Sequence, residues 1–350
     1  MVRLEWRAVE LRTARPFKIA TGTTTRFETV VVRARDGGHE GWGEAQPAKR
    51  VTGEDLDTVD AFLRWVAREI EPLDARGALD WLACTHVDVC GNPAARCGAD
   101  LALHDLVGRK EGRHARELYG LPPARLATSF TVSLDAPDVM AAEAMDHLAR
   151  GFTVLKLKLG GKDGLDAARV AAVRHAVSSR ARLRADANTA WSHEEAPRLC
   201  RELSGLGVEL VEQPYPAQDL DALAALSRAS PLPVYADESC LGPDDVPRLL
   251  AHGFVGGVNL KLQKTGGLGP AVEAARAARE AGLGVMLGCM LETGCGIAGG
   301  RQMLALLDHA DLDGNVLLSE DPFATEIPRD GVVETPRGPG LGARPVRALL

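Results

Sequence analysis

Five ionisable residues fall at near-regular intervals in the second half of the chain. They are Lys158, Asp186, Glu212, Asp237 and Lys261, separated by 28, 26, 25 and 24 residues. Three carboxylates brought to one place make a hard, oxygen-rich site whose mutual repulsion calls for a cation. Oxygen ligation with room for water and substrate suits Mg²⁺, with Mn²⁺ as a substitute. A lysine on either side of such an ion suits two acid/base groups acting on opposite faces of one carbon. A divalent ion holding a carboxylate while a lysine takes the adjacent C–H proton would stabilise an enediolate. The stretch TVLKLKLG, at 153–160, adds a second lysine. In a strand Lys156 and Lys158 share one face about 7 Å apart. They would repel by about 2.4 kcal/mol at an effective dielectric of about 20. Lys156 is therefore expected to tune Lys158 toward neutrality, and Lys158 to transfer the proton.

The elements that carry these residues must repeat at the same interval. Short apolar runs do so: TSFTVSL at 128, TVLKLKLG at 153, RLRADAN at 182, VELVEQP at 208, LPVYADES at 232, GGVNLKL at 256, GVMLGCM at 284 and HADLDG at 309. Helical stretches rich in Ala, Glu and Arg lie between them, such as DVMAAEAMDHLARG and GPAVEAARAAREAG. Repeated strand–helix units imply parallel strands. Eight of them imply an α/β fold, a closed (β/α)₈ barrel over residues 125–325, with the charged strand ends converging on its C-terminal rim. Residues 1–124 read as an α+β capping domain. FETVVVRARD and GHEGWGEA form a hairpin around Asp36-Gly37-Gly38. Residues 54–76 and 94–119 carry helical patterns, and Pro122-Pro123 marks the boundary. The segment from about 326 to 350 is expected to pack back on the cap.

Net charge is −7, from 41 Lys and Arg against 48 Asp and Glu, and no long basic run occurs. Nucleic acid is not an expected partner. No run of about 18 apolar residues is present to span a membrane. The charged opening MVRLEWRAVELRTARPF does not read as a secretory signal, so a cytoplasmic protein with a small-molecule substrate is expected. The seven cysteines include no Cys-x-x-Cys pair, which suggests reduced thiols. The gaps between Cys84, Cys90 and Cys97 do not match zinc-ligand spacing. Gly294–Gly299 fits G-x-G-x-x-G, but MLET separates it from the preceding strand, and too little chain follows for a dinucleotide-binding unit. His309 starts the eighth run and reads as structural, and Trp42 and Trp191 read as core. No Gly-x-Ser-x-Gly nucleophile motif occurs.

The motifs PFKIA, GWGEAQP, VTGED, KLKLGG, RADANTAW, VEQP, ADES, NLKLQKTGG, GCMLETGCG and HADLDG span nearly the whole chain. With them the sequence resembles the enolase superfamily in its muconate-lactonizing-enzyme subgroup. The resemblance is nearest to the dipeptide epimerases, of the L-Ala-D/L-Glu epimerase-like kind. It implies Asp186, Glu212 and Asp237 as metal ligands and Lys158 and Lys261 as the acid/base pair, with Lys156 the first lysine of Lys-x-Lys. Asn188 and Glu238 match polar neighbours of the ligands. Met290 and Glu292 match the seventh-strand loop at the substrate, and Thr131 is expected there too. Asp311 and Asp313 match a site for the substrate's α-ammonium group, where two carboxylates for one cation make electrostatic sense. In the cap, Gly22 stands where a family arginine would align, with Lys18 and Arg26 the nearby cations. Loops 15–26 and 48–54 are expected to form the specificity wall and to shield the enediolate from water. The implied activity is Mg²⁺-dependent epimerisation of a dipeptide at the α-carbon beside the metal-bound carboxylate, by a homo-oligomeric enzyme. The rival within the subgroup is a cycloisomerase or β-elimination enzyme, muconate cycloisomerase- or o-succinylbenzoate synthase-like, whose substrate would lack the ammonium group. A catalytically silent binding barrel is the rival of another class.

Overall fold

Strands β1 (Arg3–Ile19), β2 (Gly22–Asp36) and β3 (His39–Ala45) form an antiparallel sheet in that order in the computed structural model, which describes residues 1–85, 89–326, 328 and 330–350. Asp36 pairs with His39 across the Gly37-Gly38 turn, as the sequence predicts. β1 is a strand that the apolar pattern did not reveal. Only Leu4 and Leu11 of its 17 residues are buried, so charged side chains line both faces and no alternation is visible. Helices α1 (Leu56–Ile70), α2 (Ala75–Cys84) and α3 (Pro93–Glu111) cover the sheet. α1 begins at a capping box. The Thr58 N–H donates to Asp55 Oδ1 at 3.1 Å, and the Asp55 N–H donates to Thr58 Oγ1 at 2.9 Å. Its buried face is Val59, Phe62, Leu63, Val66 and Ile70, the helical spacing the pattern requires.

α3 lies directly on β3, and that contact explains the glycines of GHEGWGEA. A Cβ on Gly43 would stand 2.1 Å from the Gly98 carbonyl oxygen, and one on Gly41 would stand 2.2 Å from the Leu106 nitrogen. Gly43→Ala is therefore expected to cost about 1–3 kcal/mol by overpacking. The loss should appear as a lower urea midpoint with an unchanged slope. A wild-type midpoint would contradict this packing.

β4 (Arg125–Ala127) leads to the barrel. Its strands are β5 (Phe130–Val132), β6 (Val154–Lys158), β7 (Arg182–Asp186), β8 (Val208–Glu212), β9 (Val234–Ala236), β10 (Gly257–Leu260), β11 (Gly284–Leu287) and β12 (His309–Ala310), parallel neighbours in that order. A bridge between Thr128 and Ala310 and a 3.0 Å hydrogen bond from the Ser129 N–H to the Ala310 carbonyl bring the first and last staves together. These are the eight apolar runs. Helices α4 (Pro137–Ala149), α5 (Asp166–Val177), α6 (Glu195–Gly205), α7 (Leu220–Ala229), α8 (Asp245–Ala251), the pair α9 (Leu262–Thr265) and α10 (Leu268–Glu280), and α11 (Gly294–Arg301) occupy the crossings. Helices outside and side chains inside bury both strand faces, so the strands read as near-continuous apolar runs.

β13 (Phe323–Ala324) pairs with β15 (Arg344–Pro345), and β14 (Val332–Glu334) pairs with β4. Buried Asp105 of α3 accepts from the Leu341 N–H at 2.7 Å and from the Trp42 N–H at 2.9 Å. The last segment thus touches both the barrel entrance and the cap. No helix among the described residues is long and apolar enough to cross a membrane, and the seven cysteines are free thiols.

Candidate active site

Strand register brings the charged residues to one rim. Lys158 pairs with Asp186, and Asp186 pairs with Glu212. Asp237 and Lys261 each follow the last residue of their strand, β9 and β10. The loops leaving β7 and β8 turn sharply. Asn188, Thr189 and Gln213 have φ of 44°, 66° and 35°, a left-handed backbone that non-glycine residues seldom adopt. Gln213 is held there by its own side chain. Its Oε1 accepts from the N–H groups of Asp237, at 2.8 Å, and Ser239, at 3.1 Å. Its Nε2 donates to Ser239 Oγ at 2.8 Å. One buried amide thereby fixes the ends of β8 and β9, and with them Glu212 and Asp237.

Lysines and carboxylates alternate around this rim. Lys158 Nζ donates to Asp186 Oδ2 at 2.7 Å, and Lys261 Nζ donates to Asp237 Oδ2 at 2.8 Å. Lys156 Nζ sits among three acids. It donates to Glu212 Oε1 at 3.0 Å and Asp311 Oδ2 at 2.9 Å, and lies 3.1 Å from Asp186 Oδ2. Lys156, the lysine expected to tune its neighbour, is itself held by these carboxylates. Burial opposes the charge on Lys156, but Asp311, Glu212 and Asp186 outweigh it and hold the ammonium well above the ordinary lysine range. Lys261 is likewise raised, with burial opposing and Asp237 prevailing. Burial would raise Asp186 and Asp237, yet the neighbouring lysines pull both down. Glu212 goes the other way: burial and the charge on Asp186 push it up to about 8.

Among the described residues no three Asp, Glu, His or Cys side chains are gathered as a finished metal cage. The lysine ammonium groups stand between Asp186, Glu212 and Asp237 and neutralise them instead. The donor set nevertheless fits a hard cation. Each of the three acids is buried, and Glu212 feels the charge of the other two. Buried acceptors are also left over. Asn188 Oδ1 and Glu238 Oε2 have no hydrogen-bond partner. Glu212 Oε2 lies 2.8 Å from Lys156 Nζ, but in a direction that makes no hydrogen bond. Oxygen lone pairs in excess of donors are what Mg²⁺ seeks.

Asp311 and Asp313 stand beside this row on the stave that closes the barrel. Asp311 accepts from Lys156 and, at 2.5 Å, from Ser129 Oγ, and these keep it low against the effect of burial. Asp313 accepts from the Thr131 N–H at 2.7 Å, and burial with the nearby Asp311 charge pushes it up to about 6. Asp311 thus shares its charge with Lys156. Thr131 meets Asp313 through its backbone. Met290 donates its N–H to Glu292 Oε1 at 2.8 Å. Glu292 Oε2 in turn accepts from Gln263 Nε2 of α9 at 3.2 Å. Of the cap cations, Lys18 is committed to Asp135, and Arg26, opposite Arg12 in the open sheet, lies 3.9 Å from Glu10. Arg50 donates instead to the Thr21 carbonyl at 3.0 Å, at the β1–β2 tip.

Lys264 and Asn259 were not singled out in the sequence. Lys264 donates to the carbonyls of Asp237, at 2.6 Å, and Asn259, at 2.8 Å, as well as to the Asp237 carboxylate. Asn259 Nδ2 donates to Glu212 Oε1 at 2.8 Å. Asn259 lies two residues before Lys261, so the alternation that paired Lys156 with Lys158 would have found it. Lys264 enters from the one-turn helix α9, where strand periodicity says nothing.

A (β/α)₈ barrel with acids and lysines on its C-terminal rim, under an α+β cap, defines the enolase-type class of protein. The chain belongs to the mandelate racemase / muconate lactonizing enzyme family: the model of that family's N-terminal domain matches residues 3–120, and the enolase C-terminal domain-like model matches residues 139–349. Among its relatives is the L-Ala-D/L-Glu epimerase of Bacillus subtilis, 33% identical over 98% of this chain and 96% of that one. The L-Lys-D/L-Arg epimerase of Methylococcus capsulatus is 36% identical over 94% of each. A solved dipeptide epimerase from Enterococcus faecalis, complexed with Mg and L-Leu-L-Tyr, superposes with a TM-score of 0.91 at 30% identity, covering 97% of this chain and 98% of that one.

Proposed function

We propose that the protein is a dipeptide epimerase that inverts the α-carbon of the residue bearing the free carboxylate, by proton transfer between two lysines. The observation that carries this reading is the order of groups around the rim. Lys158 and Lys261 stand at the two ends of the row Asp186–Glu212–Asp237, with three staves between theirs. A carbon held over the middle of that row presents one face to each lysine. Relatives of similar identity are epimerases of Ala-Glu and Lys-Arg dipeptides. Asp186, Glu212 and Asp237 would hold Mg²⁺, which supplies positive charge to the substrate carboxylate as the α-proton leaves. With their carboxylates committed in this way, the Lys158 and Lys261 amines would be released from their hydrogen bonds to Asp186 and Asp237. One can then take the α-proton while the other delivers a proton to the opposite face. The buried site excludes bulk water and strengthens each of these interactions. Asp311 and Asp313 would receive the substrate's ammonium, a group that muconate- or succinylbenzoate-type substrates do not carry.

A dipeptide library incubated with the protein and Mg²⁺ in D₂O tests this reading by mass. Deuterium uptake into a subset of dipeptides is expected. A silent library, with turnover of a muconate or succinyl substrate, would overturn it. The Asp313 carboxyl adds a pH signature. Raised to about 6, it is neutral below that pH and holds an ammonium poorly. KM should rise as pH falls through about 6, and Asp313→Asn should have a high KM without that step. A pH-independent KM in the wild type would contradict the role.

A further inference from the structure

Gln263 lies two residues beyond Lys261, in α9, and is fully buried. Its amide is fully used, and on two separate parts of the molecule. Oε1 accepts from the Gln46 N–H at 2.9 Å, and Nε2 donates to the Glu44 carbonyl at 3.2 Å. Those two backbone groups flank Ala45 at the end of β3. The side-chain amide therefore docks on the cap strand as the peptide of a neighbouring strand would. The second Nε2 hydrogen goes to Glu292 Oε2 at 3.2 Å, in the loop after β11.

Both partners are themselves anchored. The Glu44 carboxylate, on the cap, accepts from the N–H groups of Thr293 and Gly296, at 3.0 and 3.1 Å, at the start of α11. Glu292 accepts from Met290. Immediately past Gln46 the cap chain forms a tight turn, in which the N–H groups of Val51 and Thr52 donate to the Ala48 carbonyl at 2.8 Å. Arg50 then ties this turn to the β1–β2 tip. On the other side of α9, the Leu268 N–H donates to Asp100 of the cap helix α3 at 2.6 Å. The backbone that carries Lys261 is thus clamped to the cap at Gln263 in α9 and at Leu268, where α10 begins. Among the described residues Gln263 makes no hydrogen bond to the Lys158 stave, which the cap meets separately at Gly160, where a Cβ would stand 3.1 Å from Ala20 Cβ.

We propose that Gln263 is a positioning residue that couples the cap loop 46–54 to Lys261, so that closing the cap over a substrate sets the aim of that lysine and not of Lys158. The inference rests on the reading of Lys261 and Lys158 as the two proton-transfer groups. It assigns to the cap a part in the chemistry of one face, beyond shaping the pocket.

Two variants test it. Gln263→Met keeps the length and removes all three hydrogen bonds, and Gln263→Glu keeps the acceptor and removes both donors. The readout is α-hydrogen exchange in D₂O at saturating dipeptide, followed separately from each epimer, with melting curves to show that the variants are folded. Lys261→Ala identifies the epimer whose proton Lys261 takes. For that epimer exchange should fall about tenfold or more in Gln263→Met, and less in Gln263→Glu, since misplacement of a reacting group is amplified in rate. Exchange from the other epimer should stay within about twofold, an asymmetry that a loss of general stability would not produce. Equal slowing of both epimers, or no slowing of either, would overturn the coupling. Wild-type protein that exchanges no dipeptide would overturn the epimerase reading itself.

Discussion

Replacing either Lys158 or Lys261 by alanine should lower the epimerisation rate by about 10³-fold, within the range that a positioned acid/base group contributes. The expectation follows from position. Lys158 ends β6 and contacts Asp186, Lys261 follows β10 and contacts Asp237, and both are buried at the rim. Each truncation removes a proton carrier at one face only. Each variant should therefore still exchange the α-hydrogen of one epimer while failing to invert it, and the two variants should spare opposite epimers. Lys158→Arg and Lys261→Arg keep the positive charge that balances the acids but cannot give up a proton near neutrality. They should be as inactive as the alanine variants while remaining closer to wild type in stability. Near-wild-type turnover in both alanine variants would contradict the two-lysine mechanism. Full activity in both arginine variants would show that charge alone is required.

The second large effect concerns the metal. Chelation of divalent ions is expected to abolish turnover, by about 10³-fold or more, because the developing charge on the substrate carboxylate would lose its counter-charge. The same site gives a readout that does not depend on activity. Asp186, Glu212 and Asp237 are buried together, and burial with the Asp186 charge already pushes Glu212 up to about 8. Mg²⁺ binding only to the folded protein should stabilise it by about 2.7 kcal/mol at a hundred times the dissociation constant. The melting temperature should thus climb with Mg²⁺ concentration, and Glu212→Gln should flatten the climb. A melting temperature insensitive to Mg²⁺, with activity surviving chelation, would contradict this ligand set.

The barrel was legible as eight short apolar runs, and its rim because five consecutive runs end in a charged residue. KLKLG, RADAN, VEQP, ADES and NLKL each follow that pattern, and the structure places those ends side by side. The strand β1 was not legible, because a solvated cap strand has too few buried residues to impose a period. The state of Lys156 was not legible either. Its neighbour along the strand is Lys158, but one of its carboxylate partners is Asp311, 155 residues away, and only the closure of the barrel brings the two together. Local sequence shows only the like charge beside it; the fold adds the carboxylates that hold its ammonium. Lys264 and Gln263 escaped for a third reason. They sit in a one-turn helix, where neither strand nor helix periodicity applies, and their partners lie on β9 and on the cap.

One measurement bears on the two-lysine account most directly. A dipeptide that the protein turns over is mixed with it and Mg²⁺ in D₂O, and both epimers are weighed while conversion is still small. The inverted product should carry one deuterium at the α-carbon from the first molecules formed, because its new hydrogen comes from a different lysine than the one that took the old. Product that retains its original protium would mean that one group removes and returns the same proton, and the account would be wrong.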